Sequence, residues 1–405
     1  MTGQGRTAVA VLATVFLFNL LGRGSGDTYA VFLLPLEREF GWARSQLTSV
    51  YSMYLLVGAF MAPLAGTLFD RFGPRVTYSG GLLCLSAAFF LASTLGNLWE
   101  FYLFIGVTIG VGVGLVGMVP ASALLTRWFR ARLSSAIGIA FSATGTGVLL
   151  FVPFSQWLIG QLGWRGAYQV LAGLVFLAVP FALFVVPWRL YVAGLQDSVS
   201  GLRERAGGEG VTVRAAVRTR TFWALVRVFF FTATAMFIVL VQAVVYFIDL
   251  GFSPITAATA IGGVGMLSVV SVSTSGLAAE RFGYRNTVSA SFAGTALGVG
   301  LLAVMSAWPS GTLLAIFVGV FGLCMGVRGP IVSSIATRRF AGPKVATIYG
   351  LIYAANAVGA AFGSLMGGVL HDLSGGYRAG FALSVCAVGL AVAPFWTVKE
   401  LREFR

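Results

Sequence analysis

The sequence predicts an all-α membrane protein of twelve transmembrane helices, arranged as two pseudo-symmetric halves of six. Three observations predict it. Hydrophobic residues make up 58% of the 405 residues and charged residues only 10%, against about 45–50% and about 25% in water-soluble chains, too little charge to cover a solvated surface. Twelve apolar segments of membrane length follow one another. Landmarks in the first six of them return 210 residues later in the second six.

A hydrocarbon core of about 30 Å takes about 20 helical residues per crossing. Segments near 9–34, 46–67, 76–95, 101–124, 134–158, 167–187, 221–247, 256–277, 286–306, 312–335, 346–369 and 380–397 meet that length. The first has no small-residue cleavage site behind its apolar run and is read as a retained helix rather than a secretory signal. In the fourth, Gly106, Gly110 and Gly114 predict a close-packing face; a phosphate loop would need a strand before it and a lysine within it. The longest connection, about 188–220, is polar and glycine-bearing. It divides an N-terminal half, 1–195, from a C-terminal half, 221–405, with 196–220 as linker.

The 27 Lys and Arg against 13 Asp and Glu leave a net charge of +14. These basic residues cluster between apolar segments, so the excess reads as a topology signal and not as a nucleic-acid surface. With a cytoplasmic N-terminus, 20 of the 27 basic residues fall on the cytoplasmic side: Arg6, Arg71, Arg75, Arg127, Arg130, Arg132, the six arginines from Arg189 to Arg220, Arg281, Arg285, Arg338, Arg339, Lys344, Lys399, Arg402 and Arg405. The other side holds Arg38, Arg44, Arg165 and Arg378, while Arg23, Arg227 and Arg328 lie within apolar segments. Both termini and the linker are therefore expected in the cytoplasm.

Cys84, Cys324 and Cys386 lie in apolar segments without a CxxC pair, and His371 has no partner at metal-ligand spacing. No disulfide, metal or cofactor is expected. No set of nucleophile, base and orienting group points to an enzyme.

The string GTLFDRFGPR at 66–75 returns as GLAAERFGYR at 276–285, FGWARSQ at 40–46 aligns with LGFSPIT at 250–256, and Pro120 with Pro330. Repeats with an even number of spans share one orientation, and such a pair leaves a central cavity able to open to alternate sides. Asp70, Arg71 and Arg75, with Glu280, Arg281 and Arg285, are expected at a membrane rim. There they either gate, by ion pairs made in one conformation and loosened in another, or only fix topology.

These features resemble the major facilitator superfamily over nearly the whole chain. More narrowly, VFLLPLEREFGWARSQLT at 31–48 and WFRARLSSAIGIAFSATGTG at 128–147 resemble the monocarboxylate and oxalate/formate transporter branch. The second string carries an aromatic pair, basic residues, then small residues at Ala136, Gly138, Ala140, Ser142, Ala143, Gly145 and Gly147. The resemblance implies a major facilitator fold and secondary active transport of a small organic anion by alternating access. It also implies a monomer among membrane lipids, here expected in a bacterial cytoplasmic (inner) membrane. The chain departs from the branch where GGVGMLSVVSVSTSG in the eighth segment lacks the substrate-holding basic residue. Asp27 and Asn356 also stand where some members carry lysine. The positive charge for an anion must then come from elsewhere.

Asn19, Arg23 and Asp27 are spaced by four and share one helical face, thinned by Gly22, Gly24 and Gly26. Their role is either substrate binding and coupling or a fixed ion pair. Arg328, followed by Gly329 and Pro330, is the strongest candidate for an anion clamp, because arginine offers a planar fork to a carboxylate; pairing with Asp27 is its alternative. Arg227 lies near the start of its helix and can snorkel. Tyr51, Tyr54, Gln242, Tyr246, Tyr349, Tyr353 and Asn356 could hydrogen-bond substrate oxygens or one another. Asp27 is the one acid well inside a segment and hence the candidate proton carrier; anion exchange would need none. Export of hydrophobic or cationic compounds is the competing function.

Overall fold

A computed structural model describes residues 3–129, 133–193, 212–340 and 345–404. Residues 196–211 of the expected linker lie outside the described residues, as do Arg130, Arg132, Lys344 and Arg405. Among the described residues the regular elements are all helical, and ten helices are long and apolar enough to cross a membrane. Two of them are of double length. Arg44–Ala92 has 49 residues and is broken at Gly73 (φ 79°); Leu133–Pro180 has 48 and is broken at Gly163 (φ 71°). At about 1.5 Å per residue each runs to about 70 Å, more than twice the bilayer core. Each half of these two is itself about 20 residues or more, enough for one crossing.

The chain forms two units, Met1–Leu36 with Met53–Glu204, and Glu37–Ser52 with Arg205–Arg405. In the first unit, α1 (Gly3–Gly26) and α2 (Tyr29–Phe40) interrupt what the sequence presents as one segment, with Asp27 and Thr28 at the break. The side chains there bond back to the chain: Ser25 Oγ donates to the Leu21 carbonyl at 2.5 Å and Thr28 Oγ1 to the Ser25 carbonyl at 2.7 Å. Such bonds compete with the helical ladder. α3 (Arg44–Ala92) supplies the second and third segments.

The fourth segment passes through a π-helix, Tyr102–Ile109, into α4 (Gly110–Val116), then breaks at Gly117 before α5 (Met118–Trp128). Gly110 and Gly114 press against Val57 and Met61, where added Cβ atoms would come within 2.8 and 2.6 Å. α6 (Leu133–Pro180) meets α1 through Gly147 and Gly24; a Cβ on Gly24 would lie 2.8 Å from Gly147 Cα. Small residues of this kind let helix backbones touch without a hydrophobic driving force.

The second unit contains α7 (Arg220–Asp249), α8 (Pro254–Phe282), α9 (Tyr284–Met305), α10 (Gly311–Met325), α11 (Arg328–Arg339), α12 (Val345–Ser374), α13 (Arg378–Val392) and α14 (Pro394–Thr397). Residues 37–52 belong to it although they precede the linker. Their face is again small and polar. Ser52 Oγ donates to the Ala361 carbonyl at 2.7 Å, Ser364 Oγ to the Thr48 carbonyl at 3.0 Å, and Gly368 leaves room for the Arg44 carbonyl.

The internal repeat is written into the backbone. Among the six positive-φ glycines of the described residues, Gly41 pairs with Gly251 and Gly73 with Gly283 at the 210-residue displacement, and Gly163 with Gly375 at 212. Thr77 Oγ1 donates to the Gly73 carbonyl at 3.0 Å and Thr287 Oγ1 to the Gly283 carbonyl at 2.9 Å. The fourth and tenth segments both break, and they restart at Met118 and Arg328, the same 210 residues apart.

Candidate functional site

At the break in the first segment, Arg23, Asp27 and Tyr54 close a triangle. Arg23 Nη2 lies 3.2 Å from Asp27 Oδ2, Arg23 Nη1 donates to Tyr54 Oη at 3.3 Å, and Tyr54 Oη donates to Asp27 Oδ1 at 3.0 Å. The four-residue spacing places Arg23 and Asp27 on one face, and α3 brings Tyr54 to them from 27 residues beyond Asp27. Gly26 makes the approach possible, since a Cβ there would sit 3.0 Å from the Tyr54 hydroxyl. Tyr54 is buried, and the side chains of Arg23 and Asp27 are 30% and 11% exposed. An isolated charge at this depth would be costly, and each of these two offsets the other. Arg23 keeps the larger exposure of the two. Asn19, on the same face, is enclosed, and its Nδ2 donates to the Val15 carbonyl of its own helix at 3.0 Å.

Arg328 is 1% exposed and turned toward α9. Its Nε donates to Ser291 Oγ at 3.0 Å, its Nη2 donates to Thr295 Oγ1, and the guanidinium lies 4.5 Å from the Phe292 ring centroid. Ser291 and Thr295 are four apart and present one face to it. Among the described residues Nη1 has no hydrogen-bond partner, and no carboxylate is among the partners of the group. The arginine proposed from sequence as a clamp is thus enclosed between helices in this structure, and Asp27 pairs with Arg23 instead.

A third cluster has Arg44 at its centre. Arg44 Nε donates to both oxygens of Glu37 at 3.1 and 3.0 Å, Nη1 donates to Tyr377 Oη, and Nη2 reaches Asp249 Oδ2 at 3.4 Å. Tyr377 Oη in turn donates to Asp249 Oδ2 at 2.5 Å, and Ser45 N donates to Asp372 Oδ2 at 2.8 Å. Burial, and then the hydrogen bond to Asp249, push the Tyr377 phenol well above its ordinary range, so it stays a neutral donor at physiological pH. Sequence reasoning used Arg44 only to count charge. Its partners Asp249, Asp372 and Tyr377 lie more than 200 residues away, beyond the reach of any local spacing rule.

The remaining candidates divide. Tyr51 packs on Phe237, and Tyr246 donates to the Leu302 carbonyl at 2.5 Å. Gln242 and Tyr246 line a void of about 10 Å³, room for a water at most. Tyr349 Oη shares a 2.5 Å hydrogen bond with Ser333 Oγ; Tyr353 stands exposed over Phe229, and Asn356 is half-buried. Of the rim charges, Asp70, Arg71, Arg75, Glu280 and Arg281 are exposed, and none of the six forms an ion pair among the described residues. Arg71 and Arg281 instead lie over Phe72 and Phe282, and Arg285 over Trp396.

The sequence matches the pattern of the Major Facilitator Superfamily over residues 12–276 and 249–403. It is 26% identical to monocarboxylate transporter 13 of Bos taurus over 374 residues, covering 92% of this chain and 85% of that protein. It is 29% and 30% identical to monocarboxylate transporter 3 of Rattus norvegicus and of Mus musculus over 384 residues, covering 94% of this chain and 77% of each.

Proposed function

Because the chain belongs to the Major Facilitator Superfamily, we propose that it is a secondary active transporter of a small monocarboxylate-like organic anion, working by alternating access with Asp27 as the proton carrier. It is a membrane transporter and not an enzyme. The observation that carries the substrate reading is the triangle of Arg23, Tyr54 and Asp27, with its partly exposed arginine. The names of the relatives support the same substrate class.

In this mechanism the substrate carboxylate takes over one edge of the Arg23 fork. Asp27 then loses its counter-charge in a poorly solvated site and takes up a proton, with Tyr54 still bonded to it. Anion and proton load together, and the pair leaves the neutralised site after the carrier reorients. The enclosure of Arg328 and the small void beside Gln242 and Tyr246 support Arg23, rather than those residues, as the anion's partner. The fully engaged Asp27 disfavours a cation exporter, which would need that carboxylate free.

The bias of 20 basic residues against 4 supports cytoplasmic termini. Cysteines introduced at Arg71 and Gly375 should then label from opposite sides of the membrane. We assign the Arg44 cluster to a clasp formed in one state of the cycle, and Asp70, Arg71, Arg75, Glu280, Arg281 and Arg285 to ion pairs formed in the other.

The functional test is uptake by the purified protein in liposomes, using a panel of monocarboxylates, dicarboxylates and hydrophobic cations with and without a pH gradient. Saturable monocarboxylate uptake that rises with an inward proton gradient is expected. Saturable cation uptake with no carboxylate uptake would overturn the reading.

A further inference from the structure

Three arginines with no role in the transport site converge where α7 begins. Arg218 and Arg220 flank Thr219, whose side chain caps α7 by accepting from Phe222 N at 3.2 Å. Arg227 follows two turns on, about 10 Å along the helix axis. With Trp223 and Phe231 it continues the Arg220 face at helical spacing. The opposite wall is the face of α13 and α14 formed by Leu390, Ala393, Pro394 and Thr397, again at helical spacing. Between the walls runs a groove of about 720 Å³.

The groove has charge at one end and apolar walls at the other. No Asp or Glu lines it, and among the described residues Arg218, Arg220 and Arg227 form no ion pair and no side-chain hydrogen bond. All three are exposed. The positive end of the α7 dipole adds further positive potential. Trp223 and Leu390, 54% and 51% exposed, face outward on apolar helices, where the membrane meets them. A dissolved anion would be served at Arg218 and Arg220 alone. Arg227 lies deeper on a lipid-facing surface, and a counter-charge at that depth must arrive on a molecule that is itself anchored in the bilayer.

We propose that this groove is a binding site for an anionic phospholipid, with its phosphate held by Arg220 and Arg227 and an acyl chain along Phe231 and Leu390. Basic pockets between membrane helices recognise anionic headgroups in this way. The site is independent of the substrate reading. Its assignment to the cytoplasmic leaflet rests on the orientation proposed above.

The test uses the full chain in mild detergent, titrated with phosphatidylglycerol or with phosphatidylcholine of the same acyl chains. Native mass spectrometry reads the bound lipid. Each basic contact contributes about fivefold, so wild type should prefer phosphatidylglycerol by about 25-fold over two contacts. The preference should fall to near unity in an Arg220→Gln/Arg227→Gln double variant and survive largely in Arg227→Lys. Equal uptake of the two lipids by wild type overturns the proposal without reference to any variant, and so does an undiminished preference in a folded double variant. Glycerol 3-phosphate displacing phosphatidylglycerol at equal concentration would show a site for soluble anions and would also overturn it.

Discussion

The hydroxyl of Tyr54 donates to Asp27 Oδ1 at 3.0 Å while accepting from Arg23 Nη1 at 3.3 Å, so one neutral group touches both charges of the candidate site. When Arg23 turns to a substrate carboxylate, Tyr54 is the partner that Asp27 retains. Removing the hydroxyl should therefore weaken the loaded state more than the empty one. Asp27 is protonated in that state, and leaving a buried polar group without its partner costs about 1–3 kcal/mol. Tyr54→Phe is expected to insert normally and to raise the KM for the transported anion about tenfold, measured as initial uptake rate against concentration. An unchanged KM would remove Tyr54 from the site.

Arg328 is enclosed with Ser291, Thr295 and Phe292, and its Nη1 is unsatisfied. Replacing a buried charged group by an apolar side chain of similar size is often tolerated, whereas stripping its partners leaves the charge uncompensated. Ser291→Ala/Thr295→Val should therefore lower the unfolding temperature more than Arg328→Met does, with transport by Arg328→Met largely kept. Abolished transport in a normally stable Arg328→Met protein would return Arg328 to the substrate site.

Asp249 accepts from both Arg44 and Tyr377, which ties residues 37–52 to the helices of the second unit. Asp249→Asn is expected to speed backbone hydrogen exchange across 37–52, with Tyr377→Phe giving a smaller effect in the same segment. Exchange unchanged in 37–52 in both variants would show that the small-residue packing around Gly368 holds the segment without the charges.

The fold was legible because its determinants are dense and local: apolar length, charge at the segment ends, and turn glycines repeated at 41 and 251 and at 73 and 283. The Arg23–Asp27 pairing followed from i, i+4 spacing. Its third member is different, since Tyr54 reaches the pair only because Gly26 lets another segment approach, a tertiary fact. The surroundings of Arg328 were hidden for the same reason. A charge in an apolar segment suggests a ligand, yet Ser291 and Thr295, unremarkable in sequence, supply its hydrogen bonds from the neighbouring helix. Placing residues 37–52 with the second unit likewise depends on contacts such as Ser364 with Thr48, which no one-dimensional pattern encodes.

The central claim is that the Arg23–Tyr54–Asp27 triangle links anion binding to proton uptake, and Asp27→Asn isolates that link. Gradient-driven accumulation of a monocarboxylate and zero-gradient counterflow should be measured on one proteoliposome preparation of this variant, normalised to inserted protein. Accumulation driven by an inward proton gradient should be lost while counterflow persists, because exchange needs reorientation of the loaded carrier but no net proton movement. Wild-type accumulation in Asp27→Asn would contradict the account, and joint loss of both activities with folded yield would reduce Asp27 to a counter-ion for Arg23.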